Sequence, residues 1–405
     1  MKGFASPWSW WVALVILGAA AGGVWFARGK AAAKSDPDAV WREGEIAFES
    51  MRYKDAEKAV ARLAALRTPT PHDRLLRAQL AMLHKREDEA LEELAAVPDG
   101  GPLTGRARLM SGQLELRRNR LAYAENHLRA AARADPTLVA AHRELIFIYG
   151  IQLRRVELSA EFAALSNVTS LTYENAFQWC LTRNIDWDGR EHHAMLRTYL
   201  DADPGDRFSR LALAENLRQL GRREEADGVL APLPMSDPEA RVVRVRIALD
   251  RNDDELTDKL LAEAPQGVPE LDRLIGRRAL ARRDGKTGLT HYRAAYEAQP
   301  DHRDGVFGLG QALAMTGDAE GAAPWVAMAK DFDALGTLLQ RAATPEGRRD
   351  PGLVKALGAA CEKVHRLPEA RAWYTLAIQA DALDRDAQKA LFRIKAAEAA
   401  AAAGG

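Results

Sequence analysis

YKDAEKAV (53–60), EDEALEEL (87–94) and AYAENHL (122–128) are three renderings of one phrase, small and apolar residues at helical spacing around a central alanine. The alanines are Ala56, Ala90 and Ala124, spaced by 34 (90 − 56 and 124 − 90). The phrase returns as GRREEADGVL around Ala226, three periods beyond Ala124, and as GDAEGAAPWV around Ala322. A fixed period of this length marks an array of stacked helical hairpins, none of which can bury its apolar face alone. Outward from the phrase, every strong apolar period after residue 36 is helical, and no β-branched alternation bounded by turns predicts a sheet.

The period predicts units 37–70, 71–104, 105–138, 139–172, 173–206 and 207–240, then a shortened unit 241–268, units 269–302 and 303–336, an insertion 337–350 and a last unit 351–384. The eighth residue is Gly44, Ala78, Gly112, Ile146, Cys180, Ala214, Gly276, Gly310 and Gly358 in the full units. Small side chains are needed where two helices cross closely. The twentieth residue is Ala56, Ala90, Ala124, Ala226, Gly288, Ala322 and Ala370, with Leu158 and His192 as exceptions. Proline at position 32, namely Pro102, Pro136, Pro204, Pro238 and Pro300, is expected to stop the second helix.

This pattern resembles the tetratricopeptide repeat over residues 37–384, although Arg74, Arg108, Arg210 and Arg244 stand where the family has a bulky fourth residue. The resemblance implies an all-α fold, a right-handed superhelical solenoid of about ten helix-turn-helix repeats. Residues 385–405 are expected to form a capping helix and alanine-rich tail, with Ala387, Ala390, Leu391 and Ile394 on its apolar stripe.

Before the array, residues 1–7 form a short tail and residues 8–27 read WSWWVALVILGAAAGGVWFA, twenty residues without a charge. At about 1.5 Å per residue such a helix is roughly 30 Å long, enough for the hydrocarbon core of a bilayer, with tryptophans at both ends for the interfaces. This predicts a single-pass transmembrane helix followed by a linker at 28–36. The small residues Gly18 to Ala21 also allow a cleaved signal peptide. Lys2 on one side against Arg28, Lys30, Lys34 and Arg42 on the other leans toward a cytoplasmic repeat domain.

Over 405 residues, 57 Lys and Arg balance 57 Asp and Glu, so no basic excess exists to neutralise a phosphate backbone, and no nucleic-acid partner is expected. Cys180 and Cys361 are the two cysteines, too few for a disulfide framework, and both fall at packing positions. Gly305, Gly308 and Gly310 lack the strand and the Lys-Ser/Thr ending of a phosphate loop. Glu191, His192 and His193 are adjacent, and neighbouring helical histidines point about 100° apart, a poor metal geometry. Asn167-Val168-Thr169 matches a glycosylation acceptor in form. No hydrolase elbow or metalloprotease pair occurs, so neither an enzyme, a metal nor a cofactor is expected.

By the resemblance, such arrays bind extended peptides or partner helices along the concave face of the first helices, at positions 2, 5, 9, 12 and 13. Position 5 includes Trp41, Leu75, Leu109, Phe177 and Leu211, and position 12 opens with Phe48, Met82 and Leu116. Glu45, Gln79 and Gln113 at position 9 can hydrogen-bond a peptide backbone beside that apolar strip. The same residues also fit ordinary packing between helices. The expectation is a membrane-tethered scaffold for a protein or peptide partner; the alternative is a structural or self-associating spacer of a cell-envelope assembly.

Overall fold

The computed structural model describes residues 36–184 and 192–403, and the apolar run at 8–27 lies outside them. Among the described residues no helix is long and apolar enough to cross a membrane. They form twenty-two helices and no strand. Their contacts divide them into two compact units, meeting between Leu114 and Glu115.

The first unit contains α1 (Pro37–Glu49), α2 (Tyr53–Leu66), α3 (Pro71–Leu83), α4 (Glu87–Ala95) and most of α5 (Thr104–Arg117). Asp36 and Thr70 cap α1 and α3, each followed by a proline whose missing N–H costs nothing in the first turn. Gly44 shows why position 8 is small: a Cβ there would sit 3.0 Å from Ala59 Cβ and 3.1 Å from Leu76 Cδ2.

The second unit continues with α6 (Leu121–Ala134), α7 (Val139–Ile151), α8 (Arg155–Val168), α9 (Tyr173–Asn184), α10 (His193–Ala202), α11 (Arg207–Gln219) and α12 (Arg223–Leu230). It then runs through α13 (Pro238–Asp250), α14 (Asp254–Ala262), α15 (Pro269–Ala281), α16 (Gly285–Ala298), α17 (Arg303–Met315) and α18 (Ala319–Ala342). It ends with α19 (Pro345–Arg348), α20 (Pro351–Lys363), α21 (Leu367–Ala380) and α22 (Arg385–Ala403). Ala387, Ala390 and Ile394 of α22 are buried.

The backbone marks the repeat at a position that side-chain pattern does not reveal. Among the described residues, the turn inside nine of the hairpins is left-handed at its fifteenth residue: Met51, Lys85, Asn119, Leu153, Gly221, Asn252, Arg283, Gly317 and His365 all have φ between 55° and 92°. Gly221, Asn252 and Arg283 are spaced by 31 (252 − 221 and 283 − 252). The frame expected at 207–240 and 241–268 is therefore corrected to 207–237 and 238–268. Pro238 opens α13 and does not close the helix before it; the Asp237 carboxylate accepts from Ala240 N at 2.8 Å, and proline is tolerated in a first turn. The expected insertion at 337–350 also changes character, because α18 runs unbroken to Ala342, burying Phe332, Leu335, Leu339 and Ala342, before the single turn of α19.

Polar side chains tie these hairpins where the family has bulk. Arg74 Nη1 donates to Glu93 (3.1 Å), Arg210 Nη1 to the Val229 carbonyl (3.1 Å) and Arg241 Nη1 to the Leu260 carbonyl (3.0 Å), each 19 residues on. His142 pairs with Glu161, and His291 with Asp272, both at 2.8 Å and over the same reach. Arg244 donates to the Leu230, Leu233 and Pro234 carbonyls at 2.7–3.0 Å, satisfying acceptors that α12 leaves at its end.

The second unit also closes on itself, with α9 packed on α18 and α21. Trp373 is fully buried, edge-on to Tyr173 at 5.3 Å, and its indole N–H donates to Cys180 Sγ at 3.2 Å. Tyr173 donates its hydroxyl to the Ala342 carbonyl at 3.0 Å, so the lengthened α18 supplies part of this contact. Arg183 pairs with Glu369 at 2.5 Å and with Asp301, while Arg371 reaches Ser166 (3.0 Å) and Asn167 (2.7 Å).

Candidate peptide-binding surface

In the first unit, Trp41 is half-buried against Val40, Ala59 and Leu63, edge-on to His72 at 5.0 Å. Phe48 rests on Ala47, Ala56 and Leu80 and meets Tyr53 edge-on at 5.6 Å. Leu75 is 4% exposed and belongs to the core formed with Leu94, Ala107 and Leu114, on which Met82 packs from outside. Glu45, Gln79, Leu109 and Gln113 are all half-buried. A partly open strip thus runs over α1, α3 and α5, with Leu75 beneath it.

In the second unit, Leu116 is half-buried and Leu211 is 7% exposed, a core residue of α11. Phe177 is half-buried on α9, stacked with Tyr173 at 6.4 Å. The concave positions of the next units carry charge. Glu215 accepts from Arg218 (2.8 Å) and Arg246 (3.3 Å), Arg218 also reaches Asp250 (2.6 Å), and Glu270 pairs with both Arg246 and Arg273. Burial works against charge on Glu270, yet the two guanidiniums outweigh it and hold the carboxyl down at about 2. This ladder is satisfied internally, which makes it a poor landing place for a ligand.

The ladder ends at an open cleft of about 570 Å³ between α15 and α17, lined by Arg277, Leu280, Ala281, Tyr292, Gln311, Ala314 and Met315. Six of these seven are positions 9, 12 and 13 of two consecutive units. Its floor is the ring of Tyr292, 5% exposed, whose hydroxyl burial pushes up to about 12. The ring occupies a slot between two glycines: a Cβ on Gly276 would lie 2.8 Å from it, and one on Gly308 2.1 Å. Arg277 and Gln311 stand exposed at the rim, and Arg277 has no ion-pair partner among the described residues. The cleft can accept an extended chain, offering apolar floor and wall with one cation and one amide to orient it.

Sequence reasoning placed its candidates in the first six units and missed this cleft. Extending positions 9, 12 and 13 into units 269–302 and 303–336 would have found it. Two of the three glycines of α17 serve packing, Gly308 against Tyr292 and Gly310 against Trp325, while a Cβ on Gly305 would meet nothing within 4 Å. Glu191 lies outside the described residues; His193 Nε2 faces Arg222 (3.3 Å) and Arg197 (3.4 Å). Among the described residues no group of three or more His, Cys, Asp or Glu is placed to hold a metal ion.

Fold and cleft together define a helical-hairpin repeat protein with an open cleft in its second unit. Residues 273–337, which include the cleft, match the family model of the tetratricopeptide repeat. No curated protein sequence matches the chain. Among solved structures it is similar to the APC/C hetero-tetramer Cut9-Hcn1, at 12% identity, 89% of this chain, 90% of that one and a TM-score of 0.36. It is also similar to a tetratricopeptide repeat protein from Parabacteroides merdae (13% identity, 60% and 98% covered, TM-score 0.32). A third is yeast Tom70 (11% identity, 90% and 96% covered, TM-score 0.29).

Proposed function

We propose that the protein is a membrane-tethered interaction scaffold, holding an extended segment of a partner protein on the concave face of its repeats, with the cleft at Arg277 and Gln311 as the principal site. The observation that carries this reading is the coincidence of an open cleft with positions 9, 12 and 13 of two units inside the stretch that matches the tetratricopeptide repeat. Arg277 would meet an acidic group of the ligand and Gln311 its backbone, while Met315, 45% exposed, and Leu280 take an apolar side chain. The half-buried strip of Trp41, Phe48, Met82 and Leu109 is a second contact surface on the first unit. The uncharged run 8–27 provides the tether.

The test is affinity capture with detergent-solubilised full-length protein, comparing wild type with Arg277→Glu/Met315→Glu. A co-purifying chain lost from the variant, at unchanged melting temperature, supports the site. Retention of every co-purifying chain by a folded variant refutes it. The tether is tested separately: release of the full-length chain from membranes by alkaline carbonate overturns an integral anchor.

A further inference from the structure

The closure of the second unit brings its two thiols together. Cys180 on α9 and Cys361 on α20 lie 181 residues apart in sequence, yet their Sγ atoms are 3.7 Å apart and both side chains are fully buried. We propose that Cys180 and Cys361 form a reversible disulfide that latches the second unit in its closed arrangement. A bond of about 2.05 Å requires the sulfurs to approach by under 2 Å, within reach of small χ1 rotations on two helices already in register. The surroundings hold that register: Trp373 donates to Cys180 Sγ at 3.2 Å, Arg183 pairs with Glu369 at 2.5 Å, and Tyr173 bonds the Ala342 carbonyl at 3.0 Å.

The oxidant is a low-molecular-weight disulfide. One protein thiolate attacks it, expelling one small thiol and leaving a mixed disulfide. The second protein thiolate attacks the protein sulfur of that mixed disulfide and expels the other small thiol. Two protein thiols lose two electrons and two protons in total, and both leave with the two small thiols. The contact with the Cys180 sulfur and then burial raise the Cys361 thiol well above its ordinary range, so the closed form reacts slowly and oxidation proceeds through transient opening of α9 from α21. Once formed, the bond closes a loop of about 180 residues and removes that opening.

The experiment equilibrates the full-length protein in detergent with glutathione mixtures of graded oxidised to reduced ratio, then counts free thiols in denaturant and maps linked peptides. The expected result is two thiols falling to zero in a monomer, with one crosslinked pair containing Cys180 and Cys361. The melting temperature of the oxidised form should rise by about 5 °C or more, reversed by dithiothreitol. Cys180→Ala and Cys361→Ala should each retain one thiol and show no rise. Two free thiols at every ratio, disulfides between molecules only, or a crosslink that leaves the melting temperature unchanged would each overturn the latch. The wild-type peptide map decides the question even if a variant folds poorly.

Discussion

Gly308→Ala isolates the contact on which the floor of the cleft depends. The added methyl would sit 2.1 Å from Tyr292 Cε1 and Cζ, far inside an ordinary carbon–carbon approach of about 3.5–4.0 Å. The ring has little room to retreat, because Gly276 already approaches its opposite edge so closely that a Cβ there would stand 2.8 Å from Cδ2 and Cε2. Overpacking of this kind costs about 1–3 kcal/mol, and a clash this deep belongs at the upper end; exchanging glycine for alanine within a helix returns up to about 1 kcal/mol. A net loss of about 2 kcal/mol follows. Gly305→Ala, one turn earlier on α17, is the control, since its Cβ would meet nothing within 4 Å. It should stabilise by about 0.5–1 kcal/mol. Urea unfolding followed by helical circular dichroism measures both, and Tyr292→Leu in each background completes a double-mutant cycle with a coupling of about 1–2 kcal/mol at Gly308 and none at Gly305. Equal effects of the two alanines, or no coupling to Tyr292, would refute the slot.

At the left-handed turn position, Lys85→Gly should stabilise the first unit by about 1 kcal/mol by relieving strain at φ 58°, whereas Gly221→Ala at φ 76° should cost the second unit a similar amount, both read from thermal unfolding. Burial first, then the Arg273 charge, pushes His302 down to about 4, so the folded protein favours the neutral ring; its contribution is complete above about pH 6.5 and is lost as pH falls toward 4. Stability measured against pH should therefore decline by about 2 kcal/mol over that window, and His302→Gln should flatten it; Glu270, held near 2, adds its loss only below about pH 4.5. Trp373→Ala should cost about 3–5 kcal/mol and expose Cys180 to a thiol reagent; a buried, unreactive Cys180 in that variant would mean the closure does not rest on the tryptophan.

Helical hairpins, their period and the small residues at their crossings were legible from residue types alone, because 3.6-residue periodicity and steric exclusion at Gly44 or Gly358 act locally along the chain. The phase change after α12 was not, since Pro238 is equally at home ending one helix or opening the next, and only the Asp237 cap and the left-handed residues at 221 and 252 decide between them. The arginines in the family's bulky position looked like divergence; Arg74 and Arg210 bond a carboxylate and a carbonyl 19 residues on, while Arg108 and Arg244 reach back to carbonyls at the end of the preceding helix, so charge-assisted ties replace apolar contact. At the candidate surface, a concave position identifies where a side chain starts and not what surrounds it. Leu75 and Leu211 are therefore core, Arg246 and Glu270 satisfy each other, and Arg277 remains open at a cleft. The approach of Cys180 to Cys361 belongs wholly to tertiary structure, because small rotations between successive hairpins add along the array, and no local pattern encodes where their sum brings α9 against α21.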